Sequence, residues 1–486
     1  MPKAIIVGSG IAGIASAVRL AVKGFQVDVY EKNSYPGGKL SEIEKDGYRF
    51  DGGPSLFTMP QYVDELFHLA GRKPGDYFRY HQLDNICNYF YEDGTRISAW
   101  ADSQKLAEEF EAKTDDSADV IKRFLKKSKE IYELTHHVFL ERSLHRLATY
   151  TRLETLSSLL KLRRIDSFRT MNQANSSMFQ DSRTLRFFNR YATYNGSDPY
   201  QAPATLNVIP HLEQHFGAFF PEGGMNAITL SLVKLAEELG VNFHYNSSVE
   251  EILVAGNTVK GIKTGYGTFM ADILVSNVDV WFTYRKLLKT HIPEKILNQE
   301  RSSSALIFYW GVSREFQELD LHNIFFSEDY EKEFRSIWQE KQICDDPTIY
   351  LNVSSKYKHD DAPEGAENWF VMINVPSNSG QDWDRLIEKA KANIIRKLSR
   401  NLGVDITKFI GSESILDPRT IEYKTGSYQG SLYGSSSNNR FAAFFRHANF
   451  SSKFRNLYFA GGSVHPGGGI PLALLSAKIV AEDIKI

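Results

Sequence analysis

Residues 4–31 read AIIVGSGIAGIASAVRLAVKGFQVDVYE. Ala4–Val7 is a short apolar run of the kind that makes a buried parallel strand. From Ile11 to Lys23, the residues Ile14, Ala17, Val18 and Ala21 recur at helical spacing, and Gly24 stands where a helix C-cap is expected. Gln26–Glu31 then alternates as a second strand. A β-α-β unit is complete within about 30 residues, which is the context a GxGxxG turn needs before it means anything. Here the turn is GSGIAG, residues 8–13. Gly8 permits the tight turn, Gly10 lets backbone approach a pyrophosphate, and Gly13 lets the helix pack on the strand. The helix N-terminus offers free N–H groups and a favourable dipole to phosphates. Glu31, 21 residues after Gly10 at the end of the second strand, is placed to accept hydrogen bonds from ribose hydroxyls. The reading is an α/β, Rossmann-like dinucleotide-binding fold.

Two more Gly–Gly turns follow, in YPGGKL (35–40) and FDGGPSLF (50–57). Such turns bring backbone close to something flat or charged, and Lys39 between them faces either a phosphate or a ring edge. The ordinary alternative is a pair of surface hairpin turns and a solvated lysine. Near the other end, GGSVHPGGGIP (461–471) again joins a strand to a helix. Gly467–Gly469 lead into Pro471, a residue suited to the first position of a helix. The helix that follows, with Leu472, Ala473, Leu475, Ala477 and Val480, is small and apolar enough to be buried. A nicotinamide dehydrogenase needs only the first glycine turn. A second one, closing more than 400 residues later, points to a flavin, whose reduced form is stabilised by a positive helix terminus. His465 lies inside this turn; it touches cofactor or substrate, or is structural beside Pro466.

The 486 residues are too many for one ordinary core and imply two or three domains. With a net charge of −2, no global electrostatic reason points to nucleic acid. Only Cys87 and Cys344 are present, too few for a disulfide framework or a metal-ligand cluster, so no metal is expected and a reducing compartment fits. The chain runs straight into its first strand, leaving no room for a signal peptide, and no stretch reaches the roughly 18 apolar residues that span a bilayer. The 32 Phe and 24 Tyr suit an apolar tunnel and equally suit a large core.

Along the chain, residues 102–190 read as mostly helical. FFPEGGM (219–225) reads as a turn, Asn226–Leu239 as an amphipathic helix, and Val241–Tyr245, Val249–Val254, Val259–Thr264 and Phe269–Val275 as strands. Ala305–Gly311 and Trp369–Val375 are strand-like, Trp383–Leu402 is helical, and Asn456–Ala460 with Pro471–Ile484 repeats strand–turn–helix. A discontinuous cofactor domain is expected from residues 1–85, 219–280 and 415–486. Residues 86–218 and 281–414 would form an α+β substrate domain that includes the helical region.

The two glycine loops, with FPEGGM between them, resemble the flavoprotein family of carotenoid desaturases, whose wider superfamily includes amine oxidases and Rab GDP-dissociation inhibitors. The resemblance covers essentially the whole chain and is strongest at residues 4–60, 216–230 and 456–484. MPKAIIVGSGIAGIASA, EKNSYPGGKLSEIEKDGYRFDGGPSLFTMP and NRYATYNGSDPYQAPAT are most similar to a flavobacterial 3,4-desaturase subgroup acting on γ-carotene or 1-hydroxylated end groups. The resemblance implies non-covalent FAD held by Gly8, Gly10, Ile11, Ala12, Gly13, Glu31, Lys32, Gly38, Lys39, Gly53, Pro54, Ser55, the backbone near Val249, and the loop through Gly462, Ser463, Gly469, Ile470 and Pro471. It implies hydride transfer to the flavin with loss of a proton from the neighbouring carbon. It leaves a catalytic base unassigned; Arg186, Tyr194, Tyr428, Tyr433 and His465 are the candidates, each with packing or structural hydrogen bonding as the alternative.

Residues 141–170 carry seven Lys or Arg against three acids, interleaved with leucines. Such a segment lies in an anionic membrane interface or presents a solvated basic face; an apolar substrate favours the first. The expectation is therefore a cytoplasmic protein peripheral to the inner membrane, with oxygen, a quinone or NAD reoxidising the flavin. The alternatives are a phytoene- or diapophytoene-type desaturase, a non-covalent flavin amine oxidase, or a flavin-free isoprenoid-binding relative. No cysteine follows Cys344, which excludes a covalent flavin link near the C-terminus.

Overall fold

The computed structural model describes residues 1–150 and 165–485. Strand β1 (Lys3–Val7), helix α1 (Ile11–Val22) and strand β2 (Gln26–Tyr30) follow one another as the apolar periods dictate. Helix α2 (Asn226–Glu238), β3 (Asn242–His244) and β4 (Ile273–Ser276) come next in this layer, and β5 (Leu457–Phe459) with helix α3 (Ile470–Asp483) completes it. The five strands form one parallel sheet in the order β3–β2–β1–β4–β5. The pleat sends Ala4 and Ile6 to the face covered by α1, α2 and α3, and Ile5 and Val7 to the other. With both faces covered, the central strands β1 and β4 are apolar over Ala4–Val7 and Ile273–Val275, while the outer β2 and β3 keep polar residues such as Gln26, Asp28 and Asn242; each buried Val or Ile contributes about 1.5–3 kcal/mol. An antiparallel meander, Val249–Ala255, Thr258–Thr264 and Gly267–Met270, covers the second face through Ile252, Val259 and Ile262.

Three local expectations are corrected. The run read as one strand from Phe269 to Val275 is two, belonging to different sheets. Ala271 N–H still donates to Lys260 in the meander, whereas Asp272 N–H donates to Lys3, so the chain changes sheet between them. Of the FFPEGGM turn, Phe219–Pro221 belong to the strand Ala218–Pro221, which pairs with Phe57–Thr58 and Tyr80–Gln82. Pro471 is the second residue of α3, not the first, because Ile470 begins that helix and Gly469 is its N-cap.

The rest of the chain builds a seven-stranded sheet whose strands run, in spatial order, Ile410–Leu416, Ser304–Val312, Glu367–Val375, Ile349–Asn352, His322–Phe325, Asn85–Phe90 and Arg96–Trp100. Only the His322–Phe325 and Asn85–Phe90 pair is parallel. Ser304–Val312 is buried along its whole length. Its Leu306, Phe308, Trp310 and Val312 pack with the helix Trp383–Leu402, while Ala305, Ile307 and Tyr309 face the other way. Helices among the described residues of 102–190 include Ser103–Lys113, Ala118–Phe139 and Ser182–Asn189. They close over an aromatic cluster that includes Phe110, Phe124, Phe187, Phe188 and Tyr191.

Candidate active site

Parallel sheets bind ligands beyond the carboxyl ends of their strands, where the strand order reverses. Here β1 feeds β2 on one side and has β4 on the other. Residues just beyond β1, β2 and β4, namely Gly8, Glu31 and Asn277, line a single cavity of about 1480 Å³. That exceeds the roughly 300–1,000 Å³ of an ordinary small-molecule site. Two helices point their N-termini into it. Ile11 and Ala12 begin α1, Ile470 and Pro471 begin α3, and neither terminus is capped by a side chain. Their free N–H groups and dipoles favour negative charge between them.

The glycine turn has a second reason to be glycine. Gly8 sits at φ +97°, where a side chain is strained, and a Cβ on Gly13 would lie 2.2 Å from the Gly8 carbonyl oxygen. A Cβ on Gly10 would lie 2.6 Å from Asn277 Oδ1, and one on Gly461 would lie 2.8 Å from Asn277 Nδ2. Asn277 donates from its backbone N–H to Val7 and from Nδ2 to the Ala460 carbonyl at 2.8 Å, tying the ends of β1, β4 and β5 together. The Glu31 carboxylate is held by Ser9, whose N–H and Oγ donate at 2.8 and 2.9 Å, and by the Asn33 N–H at 2.9 Å. It remains on the cavity wall with lone pairs left to accept more.

Of the expected cofactor residues, Gly8, Gly10, Ile11, Ala12, Glu31, Lys32, Gly38, Lys39, Gly53, Pro54, Ser55, Val249, Gly462, Ser463, Gly469, Ile470 and Pro471 all line this cavity. Gly13 sits behind it, against Gly8 and Asn277. Lys39 lines the cavity and is half-buried. Its Nζ donates to the Leu432 and Ser431 carbonyls at 2.8 and 3.3 Å. Burial pushes its ammonium down to about 8; Asp279 opposes that shift and Arg301 adds to it. Gly53 belongs to the same corner, since a Cβ there would meet the Lys39 carbonyl oxygen at 2.1 Å. Arg446, lowered to about 10 by burial and by Arg301, braces the second loop by donating to the carbonyls of Tyr433, Ser435 and Gly462. A flat, anionic, dinucleotide-sized group fits these donors and this glycine-lined cradle.

The catalytic candidates separate. Tyr194 and Tyr433 line the cavity; Arg186, Tyr428 and His465 do not. Arg186 donates to the Ser327 carbonyl at 3.0 Å and sits over the Tyr91 ring. Tyr428 stacks on Trp281 with centroids 3.9 Å apart. His465 Nε2 pairs with the Arg142 carbonyl at 2.7 Å, and burial lowers its pKa to about 3. Tyr194 donates its hydroxyl to Glu213. Burial raises Tyr433 to about 12, so it stays a neutral phenol at ordinary pH. None of the five is arranged as a strong base. Sequence reading missed Asn277, Asp279, Arg301, Arg190 and His322. Asn277 directly follows β4 and Asp279 lies three residues beyond its end, the position where site residues gather in such sheets; the others carry no local signal.

The remaining wall is mostly apolar and aromatic, with Leu56, Ile86, Ile209, Ile307, Ile324, Phe370 and Met372, and includes Arg190 and His322. Phe168, Phe441 and Phe444 also line it while exposing 77%, 47% and 42% of their surface.

The family described as flavin containing amine oxidoreductase matches residues 11–485. A 1-hydroxycarotenoid 3,4-desaturase of a Flavobacterium species is 50% identical over 100% of this chain and 99% of its own. A phytoene desaturase of Fusarium fujikuroi is 32% identical over 99% of this chain and 88% of its own. Among solved structures, cyclohexylamine oxidase from Brevibacterium oxydans superposes with a TM-score of 0.63 at 14% identity, over 99% of this chain and 98% of that one.

Proposed function

The chain belongs to the flavin containing amine oxidoreductase family, on the branch that holds carotenoid desaturases, and on that premise we propose that it adds one carbon–carbon double bond, at the 3,4 position, to the acyclic end of γ-carotene or a 1-hydroxylated carotenoid. The observation that carries the reading is one continuous cavity with two chemistries. One part has two uncapped helix N-termini, Glu31 and Lys39; the rest is walled mostly by aliphatic and aromatic side chains. This is room for a dinucleotide and a long apolar chain side by side.

FAD bound here supplies the two-electron acceptor. The first turn of α1 would face its pyrophosphate, Glu31 its ribose, and the start of α3 the part of the ring that gains negative charge. We assign residues 1–85, 219–280 and 415–486 to the unit that holds it, and 86–218 with 281–414 to the substrate unit. The chain's own contribution is to orient a polyene end and keep water away. Positive charge on a carbon beside a polyene is delocalised, which makes the neighbouring proton acidic without a tuned base. The wall agrees with that economy. The Cys87 thiol is pushed up to about 12 by burial, and Tyr350 is raised further.

No helix among the described residues is long and apolar enough to cross a membrane. We place the membrane contact at Phe168, Phe441, Phe444 and Phe445. Arg440 lies over the Phe441 ring at 5.0 Å and Lys295 over Phe445 at 5.9 Å. Exposed aromatics flanked by cations suit an anionic interface, and a bilayer-dissolved substrate would enter there. Residues 151–164, the middle of the basic leucine-rich stretch, lie outside the described residues. At its described ends Arg146 pairs with Asp483 and Arg169 with Asp166, and Leu144 is buried.

The test is conversion in liposomes by the FAD-loaded protein, with oxygen, a quinone or NAD as acceptor. The product is expected two mass units lighter and red-shifted. Unchanged γ-carotene and unchanged 1-hydroxylated carotenoid with every acceptor would refute the reading.

A further inference from the structure

A polar cluster sits in the apolar part of the cavity and the reaction described above does not use it. Arg190 is buried among the rings of Tyr89, Tyr191 and Tyr194, at 5.1, 4.8 and 5.1 Å. Its guanidinium donates to the hydroxyls of Tyr89 and Tyr194. Glu213, 4.0 Å away, balances its charge and accepts from Tyr191 at 2.6 Å and from Tyr194. Beside it, His322 is 3% exposed. His322 and Cys87 each precede a member of the paired residues Asn323 and Asn88, so they occupy matching positions on neighbouring strands. Arg190, His322, Cys87, Tyr194 and Tyr350 all line the cavity.

The partners of His322 fix its proton. Asn352 Nδ2 donates to the Leu321 carbonyl at 2.9 Å and lies 3.1 Å from His322 Nδ1. An amide N–H on that side makes Nδ1 an acceptor and leaves the ring hydrogen on Nε2. Tyr350 Oη, 2.7 Å from Nδ1, continues to Ser55 Oγ at 2.7 Å, in the glycine turn expected to face the cofactor. Nε2 has no partner among the described residues, and neither has Arg190 Nε. A buried donor left unpaired is unfavourable, and this one belongs to a cavity-lining residue.

We infer that His322 Nε2–H, with Arg190 beside it, seats a neutral oxygen carried on the end group of the substrate, and so makes His322 the residue that selects a 1-hydroxylated carotenoid over γ-carotene. The inference rests on the desaturase reading above and deepens it. Three features carry it. The donor is free, the ion pair next to it is internally balanced and so offers nothing to a charged end group, and the chain of contacts ends at Ser55. The last point matters because carbon 3 is only two bonds from the carbon bearing the hydroxyl, so a hydroxyl seat belongs beside the reaction centre. Burial and the neighbouring Arg190 lower His322 to about 3, so the ring stays neutral and keeps this donor at ordinary pH.

The experiment compares kcat/KM of the FAD-loaded enzyme in liposomes for a 1-hydroxylated carotenoid and for its counterpart without the hydroxyl. A site built around a hydroxyl rejects the analogue that lacks it. The wild type is expected to favour the hydroxylated substrate by about a hundredfold. His322→Phe should bring that ratio toward one, and His322→Gln, which keeps an N–H near the same place, should restore most of it. Flavin content and melting temperature report folding of both variants. The wild-type ratio needs no variant at all. Turnover of both substrates by the wild type with a ratio near one overturns the seat and leaves the desaturase reading standing. Equal loss on both substrates in His322→Phe, with the ratio kept, also overturns the seat. Turnover of neither substrate by the wild type sinks the desaturase reading and the seat with it.

Discussion

Asn277 occupies the space left by glycines at 10, 13 and 461, so those glycines answer to a side chain as well as to a phosphate. This separates two kinds of constraint in one turn. At Gly10 the obstacle is the end of a side chain; at Gly13 it is also backbone, the Gly8 carbonyl. Gly10→Ala is expected to cost about 1–3 kcal/mol by overpacking, and a large part of that should vanish in an Asn277→Ala background, a coupling of about 0.5–3 kcal/mol. Thermal melts of the four proteins of the cycle, with flavin retained after gel filtration, measure it. Additive penalties would show that Asn277 is not the obstacle. Gly8, Gly10 and Glu31 were legible because their spacing is local and sits in one β-α-β unit. Asn277 was not, because its meaning comes from residues more than 180 positions away. His322 and Arg190 were hidden for the same reason: each becomes part of a site only when Asn85–Phe90 and His322–Phe325 lie side by side.

At the scale of elements, the short helix Ala442–Phe445 and the residues before it put aromatic rings into solvent beside a cavity wall. Burying a phenylalanine in an apolar phase is worth about 1.5–3 kcal/mol. Replacing Phe441, Phe444 and Phe445 together by Ser is therefore expected to lower partition onto anionic liposomes by about 10² or more, read by co-sedimentation. Unchanged partition would move the membrane contact elsewhere. Sequence reading looked for this contact in residues 141–170, where leucines and bases interleave; the FAAFFR stretch at 441–446 is too short to register as a periodic pattern. Long elements such as Trp383–Leu402 were read to the residue because many turns repeat one period. The 269–275 stretch was not, because a change of sheet leaves the apolar pattern intact.

At the scale of the whole molecule, four buried histidines among the described residues are held neutral. His211 and His447 are lowered to about 4, and His322 and His465 to about 3, in each case first by burial. In the unfolded chain each titrates near 6.5. Between that pH and the folded values the unfolded state binds protons that the native state refuses, so stability rises with pH across this window and falls on acidification. Each group contributes up to about 1.4 kcal/mol per pH unit there. The melting temperature should be level from pH 8 to 7 and drop progressively from 6.5 to 4.5, with a shallower drop in His465→Asn. A level melt down to pH 4.5 would contradict this.

The dinucleotide sheet takes its strands from residues 3–30, 242–276 and 457–459, and its second helix N-terminus from residue 470. A ribosome delivers those pieces in that order. The first glycine turn emerges at the start of synthesis and waits, without β4, β5 or Asn277 beside it, for most of the chain to follow. Pairings this distant in sequence are slow to form, and the half-built sheet exposes an unpaired strand edge meanwhile. A chain stopped even thirty or so residues short would have made most of the cofactor cradle, yet it would lack β5, the second glycine loop and the second helix N-terminus that face it across the cavity.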